Sequence, residues 1–271
     1  MLRPLALLQT RLPEGVPVPI GWLRRVGLSS AAIYVQVKGG WLQALPGRAY
    51  QRPGPPLAWP AVLYGAQQTG SAVHLGHLSA LNLHGTAHYL ALGQETPAHL
   101  YLRTRPPEWL QRFPLPSTWH HETVIREPLP AEHVSNNLRE PRLDIPVAQL
   151  LGIVPVLQDG WTVFVSSPER AAVELAASLM RGESWDTAYE TFTGLTTLRP
   201  RLVQQLLAAS ASKVTRRIFL HLARSSGHAW LAHLDVDALD LGQGKRQVVP
   251  GGRLDPEFLI TVPRREETYG F

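Results

Sequence analysis

The chain has 271 residues, 44% of them apolar, with eight tryptophans. That is length for two domains and apolar matter for a sizeable core, which excludes an intrinsically disordered protein. Cysteine is absent, so disulfides and thiolate metal sites are excluded and a cytoplasmic location is expected; no apolar run reaches the length of a membrane span. The net charge of +5 is unevenly spread: residues 1–53 carry +6, residues 54–160 carry −2 and residues 161–271 carry +1. A positive segment on a near-neutral body is the footprint of a phosphate-backbone binder, with a solvated surface as the plainer alternative.

The first fifteen residues are charged too early for a signal peptide. They read as an amphipathic helix with Leu5, Leu8 and Leu12 inward. Ile20, Trp22, Leu23 and Val26 fall near one helical face, and Gly27 stops that short helix. Ser29 or Ser30 caps a second helix, which runs to about Lys38 and ends at Gly39-Gly40. Two extended runs follow, Trp41-Leu42 and Leu45 to Tyr50, around a Pro46-Gly47 turn. Two short helices and a basic hairpin are the layout of a winged helix-turn-helix, whose second helix enters the major groove while the wing follows the backbone. In that layout Arg24, Arg25, Lys38, Arg48 and Arg52 neutralise phosphates, and Ser29, Ser30, Tyr34 and Gln36 face the groove.

The prolines of residues 51–56 favour an extended path and suggest a domain boundary after residue 53. Beyond it, residues 59–68 and 73–83 read as helices, 89–92 and 99–103 as strands, 107–113 as a helix start, 123–125 as a strand and 129–146 as a loop. Residues 153–157 and 161–165 form a hairpin around Gln158-Asp159-Gly160, with Pro155 marking an edge strand. Ser166-Ser167-Pro168-Glu169 opens a mostly buried helix to about Met180. Ser184 caps another to Phe192, and residues 199–211 and 213–225 give two more. The tail gives strands at 247–249 and 258–263 around Gly251-Gly252, and the last eight residues fray.

A second set of cations lies on the later helices and turns: Arg199, Arg201, Lys213, Arg216, Arg217 and Arg224, with Lys245 and Arg246 beyond them. It is either a face for DNA, phosphate or an acidic partner, or a solvated helix surface. The histidines His74, His77, His84, His88, His120 and His121 read as packed or surface side chains rather than metal ligands, since a metal site needs three or four converging donors. Glu169 and Glu174 lie five apart and share no helix face. Asp235, Asp237 and Asp240 read as caps and turns, and Gly242-Gln243-Gly244-Lys245 lacks the spacing of a phosphate loop. No nucleophile or acid–base constellation points to an enzyme, and no cofactor is expected.

Several stretches resemble AbiEi-type antitoxins. They are Gly39 to Leu42 with Gly47 to Tyr50 and Arg52 to Gly54; Val73 to Gly76 with Leu78 to Leu81; Ser166 to Ala171; Gly194 to Pro200; and Gly251 to Pro256 through Ile260 to Pro263. Together they span nearly the whole chain. The resemblance implies a type IV toxin–antitoxin system linked to abortive phage infection, in which an N-terminal winged helix represses its own promoter. It also implies a C-terminal domain that counters a nucleotidyltransferase-like toxin without needing a stable complex. One departure from the family is the charge-poor second helix: residues 29–38 carry only Lys38. Specificity then leans on shape and the wing, or binding is weak.

The expectation is an α+β protein: a winged helix-turn-helix over residues 1–53 and a mixed α/β antitoxin domain over 54–271. Its partners are double-stranded promoter DNA and, functionally, the toxin, with no membrane. The alternative is an interaction scaffold or orphan regulator that binds an acidic partner and has no toxin.

Overall fold

Ser29, Ser167, Ser184 and Ser212 each accept the backbone N–H three residues on, satisfying a donor that the first helical turn leaves orphaned. These local signals set the starts of four helices. A computed structural model describes residues 4–85, 97–102, 106–113, 117–121, 124–125 and 149–264. The chain divides into two compact units. One comprises residues 1–75, 95–122 and 128–165, the other 76–94, 123–127 and 166–271.

The first unit begins with α1 (Pro4–Arg11), β1 (Val18–Pro19), α2 (Ile20–Arg25), α3 (Ser30–Lys38), β2 (Gln43–Leu45) and β3 (Ala49–Gln51). The three strands form an antiparallel sheet in the order β1-β3-β2. Leu8, Leu12, Val18, Trp22, Leu23, Leu28, Ile33 and Leu42 close a shared core between helices and sheet. This is the expected two-helix-plus-hairpin arrangement, and it adds a strand, β1, too short to leave a period in the sequence. Leu8 and Leu12 point inward as expected, whereas Leu5 is only half-buried.

The chain continues through α4 (Trp59–Gln68), β4 (Val73–Leu75), α5 (His77–Leu83, in the second unit), β5 (Ala98–Leu102), α6 (Glu108–Gln111), β6 (Ser117–His121), β7 (Ile153–Gln158) and β8 (Trp161–Ser166). A five-stranded mixed sheet has the order β6-β5-β4-β8-β7, which puts β7 at an edge as Pro155 suggested. Asp159 and Gly160 both have positive φ, 50° and 83°, so this hairpin closes through two left-handed residues. β4 pairs with β8 in parallel at Leu75 and Val165. Further along, the amide of Gln67 does the work of a strand: Nε2 donates to the carbonyls of Val73 and Phe164, and Oε1 accepts from the N–H of Phe164.

Residues 54–75 belong to the same unit as the first 53, because α4 packs directly on the helix-turn-helix. A Cβ on Gly65 would stand 2.2 Å from the carbonyl oxygen of Pro17. The proline-bearing stretch 51–56 therefore lies inside a unit. The helix expected over 73–83 is instead β4 and α5, separated by an extended Gly76 and by His77 at φ 56°. Val73, His74 and Leu75 are all buried, and a strand covered on both faces gives no alternation to distinguish it from a helix.

The second unit is built around α7 (Pro168–Ser178), nearly every residue of which is buried. Against it pack α5, α8 (Trp185–Gly194), α9 (Pro200–Ala209) and α10 (Lys213–Ser226). A two-stranded sheet of β9 (Arg253–Asp255) and β10 (Ile260–Val262) closes the unit. The strand expected at 247–249 moves to 253–255: Val248 and Val249 donate instead to the Oγ1 of Thr261, and the turn at Gly251-Gly252 brings Arg253 opposite Val262. Of residues 123–125, Ile125 makes one bridge, to Ser210. The expectations for 89–92, 129–146 and the tail from 265 lie outside the described residues.

Candidate nucleic-acid interface

Helix α3 leans on the core through Ile33 and Val37, so its opposite side faces solvent. Residues four apart stack along a helix, which gives that outer side two adjacent stripes: Ser30, Tyr34 and Lys38, and beside them Ala31 and Val35. All five are exposed. Arg24, at the end of α2, donates from Nη2 to Ser30 Oγ at 3.1 Å, which carries a cation to the first turn of α3. Lys38 Nζ lies 5.7 Å from the centroid of the Tyr34 ring and carries a second to the last turn. Between them Tyr34 and Val35 are 63% and 59% exposed, and Trp41, just past the helix, is 46% exposed with its ring beside Gly39.

The candidate residues of the sequence fall in different places. Arg24, Ser30, Tyr34 and Lys38 lie together along α3. Ser29 is exposed, but its oxygen caps α3 by accepting from the N–H of Ala32. Arg25 is exposed and reaches the carbonyl of Thr69 at 3.5 Å. Gln36 lies on the other flank of α3, about 200° around the helix from Tyr34. There it is half-buried, with Oε1 out of solvent and without a hydrogen-bond partner among the described residues. Its proposed base contact is therefore corrected. Arg52 is corrected too. Nη1 donates to the carbonyl of Leu12 at 3.0 Å and Nη2 to Glu14 at 2.8 Å, so this cation ties α1's exit to the end of β3 instead of facing phosphate. Val35, Ala31 and Trp41 were missed; only the helical wheel, read from Ile33 and Val37 as inward positions, would have found the first two.

The wing is a β2–β3 hairpin closed by a 3-10 turn, Pro46–Arg48. Gly47 has φ 71°, and a Cβ there would stand 2.5 Å from the Cα of Trp109 in α6. The turn is thus seated on the larger sheet's helix rather than projecting alone. Arg48 follows at φ 61° and is exposed.

The second basic face loses two of its cations to internal carbonyls and keeps the others at the surface. Arg216 donates to the carbonyls of Leu207, Ala208 and Ser210, capping the C-terminus of α9, where cations and donors are favoured. Arg217 is buried and holds the carbonyls of Leu241 and Gly244; burial, with Arg246 nearby, lowers its guanidinium below the ordinary value. Arg224 pairs with Glu257, Lys213 with Asp240, and Arg199 with Glu169. Arg201, Lys245 and Arg246 are exposed, with no ion pair among the described residues. Counting charges on a helix could not reveal carbonyl partners from distant turns.

Other polar groups are enclosed. Glu174, fully buried, accepts from Arg170 Nε, from Ser166 Oγ and from the backbone N–H of His77. Burial alone would raise the carboxyl of Glu169, but hydrogen bonds from the side chain and backbone of Arg199 outweigh it and hold it at about 2. His221 accepts from Tyr189 at Nε2 (2.7 Å) and donates from Nδ1 to Asp255, tying β9 to α8 and α10 with both ring nitrogens engaged. His74, Tyr101 and His120 stack in one cross-strand row over β4, β5 and β6, and His99 bonds His120 at 2.9 Å. No group of three His, Asp or Glu close enough to hold a metal occurs among the described residues. No described helix is long and apolar enough to cross a membrane.

A three-helix, three-stranded head with an exposed second helix and a short wing is a winged helix-turn-helix. Comparison with known families agrees with that class. A model described as the AbiEi antitoxin N-terminal domain, a transcriptional regulator, matches residues 1–92, and one described as a transcriptional regulator, AbiEi antitoxin of a type IV toxin–antitoxin system, matches residues 99–263. The chain belongs to the AbiEi family of transcriptional-regulator antitoxins. Among solved structures, the RV2827C protein from Mycobacterium tuberculosis is similar in fold, with a TM-score of 0.53 at 17% identity over 94% of this chain and 88% of that one. No curated protein matches the chain.

Proposed function

We propose that the chain is a cytoplasmic, non-enzymatic antitoxin that binds promoter DNA through α3 and the wing, represses its own transcription, and counters a nucleotidyltransferase-like toxin through the rest of the chain. The functional division falls near residue 53, with DNA reading before it and antitoxin activity after it. One observation carries the DNA reading: the single acid of the first 53 residues, Glu14, is occupied by Arg52, while Arg24 and Lys38 lie at the two ends of an exposed α3 face and Arg25 and Arg48 are exposed on α2 and the wing. The helix-turn-helix and wing, residues 18–51, contain no acid of their own. The toxin reading is supported by membership of the family alone.

Four phosphate contacts give a log–log salt slope of about −3 to −4, since each contributes about −0.9. Titration of promoter duplex at several salt concentrations measures it, and a flat dependence removes the DNA reading. For the antitoxin activity, co-expression with the product of the adjacent gene should restore growth in the absence of any co-purifying complex. A neighbour that is not toxic, or growth that the chain does not restore, removes that part. The scaffold alternative keeps the exposed cations of the later helices and turns, Arg199, Arg201, Lys213, Arg224, Lys245 and Arg246, as its candidate face for an acidic partner; co-purification of such a partner, unaffected by Arg48→Ala, would favour it.

A further inference from the structure

We propose that α3 reads thymine methyl groups, with Val35 and Tyr34 as the specificity-determining side chains; this rests on the winged-helix DNA reading above. Five large apolar side chains among the described residues are exposed, namely Tyr34, Val35, Trp41, Leu157 and Met180; two of them lie on α3 and a third, Trp41, just past its end. Apolar surface held in water is unfavourable, so a cluster of it asks for an apolar counterpart. The same face offers little for hydrogen-bonded readout. α3 itself carries no Arg or Asn, Arg24 reaching it from α2 is held by Ser30, Gln36 is half-buried with Oε1 out of solvent, and Lys38 lies over the Tyr34 ring. Of the groups that base pairs present in the major groove, the thymine C5 methyl is the apolar one.

Charge selects DNA over an apolar protein surface as the occupant. Arg24 stands at the first turn of α3 and Lys38 at the last, so the apolar patch is bracketed by cations at the spacing of one helix length, and α2 and α3 themselves contain no acid. That pattern suits a methyl-bearing groove between two phosphate backbones. Val35, β-branched and stiff at χ1, loses little freedom on contact. Ala31, one turn before it, leaves room for the helix to approach closely.

The test uses the full chain and duplexes selected from a random-sequence pool, then remade with deoxyuridine for thymidine, which removes only the C5 methyl. Each contacted methyl removed should weaken binding about fourfold (~0.8 kcal/mol) at fixed salt. Val35→Ala should weaken binding to the thymine duplex and lose the response to uracil at one position, while the salt slope stays near that of the parent. A uracil effect below twofold, with salt-dependent binding intact, overturns the proposal and leaves the winged-helix reading standing. An effect that survives unchanged in both Val35→Ala and Tyr34→Ala comes from duplex shape and also overturns it. No enrichment of any sequence, with a flat salt dependence and capture of an apolar protein partner instead, overturns the DNA reading and the proposal together.

Discussion

Gly47 and Trp109 meet backbone to backbone: a Cβ on the glycine would lie 2.5 Å from the Cα of the tryptophan. The wing turn therefore tolerates no side chain, and its φ of 71° independently favours glycine. Gly47→Ala should destabilise the chain by about 2–3 kcal/mol, combining the strained backbone with displacement of α6. Urea denaturation measures the loss. DNA affinity should fall with it, since the seat of the wing moves. A variant as stable as the parent would show that the wing and α6 do not pack this way.

Arg48 and Arg52, four residues apart and chemically alike, should respond oppositely. Arg52→Ala removes charge-assisted hydrogen bonds to Leu12 and Glu14 and should cost about 1–2 kcal/mol of stability without changing the salt slope of DNA binding. Arg48→Ala should leave the melting curve alone and make that slope shallower by about one. Paired calorimetry and salt titrations on the two variants decide it.

Gln36 offers a control. Its buried Oε1 has no hydrogen-bond partner among the described residues, so Gln36→Leu should leave stability equal or raise it by up to ~1 kcal/mol. The sequence preference of DNA binding should not move. A changed consensus after random-pool selection would return Gln36 to the groove.

Acid should loosen the second unit through Glu169. Its folded carboxyl is held at about 2, against 4.5 for the free group, so its contribution is fully present above 4.5 and is lost as the pH falls toward 2. The amount is about 1–3 kcal/mol, reduced by the solvent exposure of Arg199. Glu169→Gln should lower the melting temperature at neutral pH and flatten its decline below pH ~4.5. Parallel curves for the two proteins would place the acid sensitivity elsewhere.

The legible parts of the sequence were those whose causes are local. Ser167-Pro168-Glu169 announces α7 because cap, proline and acid act within one turn, and Asp159-Gly160 announces a hairpin because two left-handed residues are needed there. The winged helix was legible for the same reason. What escaped depends on distant partners. β4 is three buried residues whose place is set by β5 and β8, and β6 holds its strand by pairing with β5 from Ala98 to Leu102. At the site, Arg52 and Gln36 looked like DNA contacts because residue type says nothing of direction. Arg52 is claimed by an acid 38 residues earlier, and Gln36 by the rotation that Ile33 imposes on α3.

Trp161 meets Tyr64 with ring centroids 5.0 Å apart and the planes tilted by 34°, and both pack against the core beneath α2 and α3. During synthesis, then, the head leaves the ribosome about a hundred residues before the tryptophan that finishes its underside. A nascent or clipped chain ending short of residue 161 exposes apolar surface where α4 meets the head. The fold of the head is thus completed by a residue from a later strand, β8, and its full stability is expected only after that strand has been made.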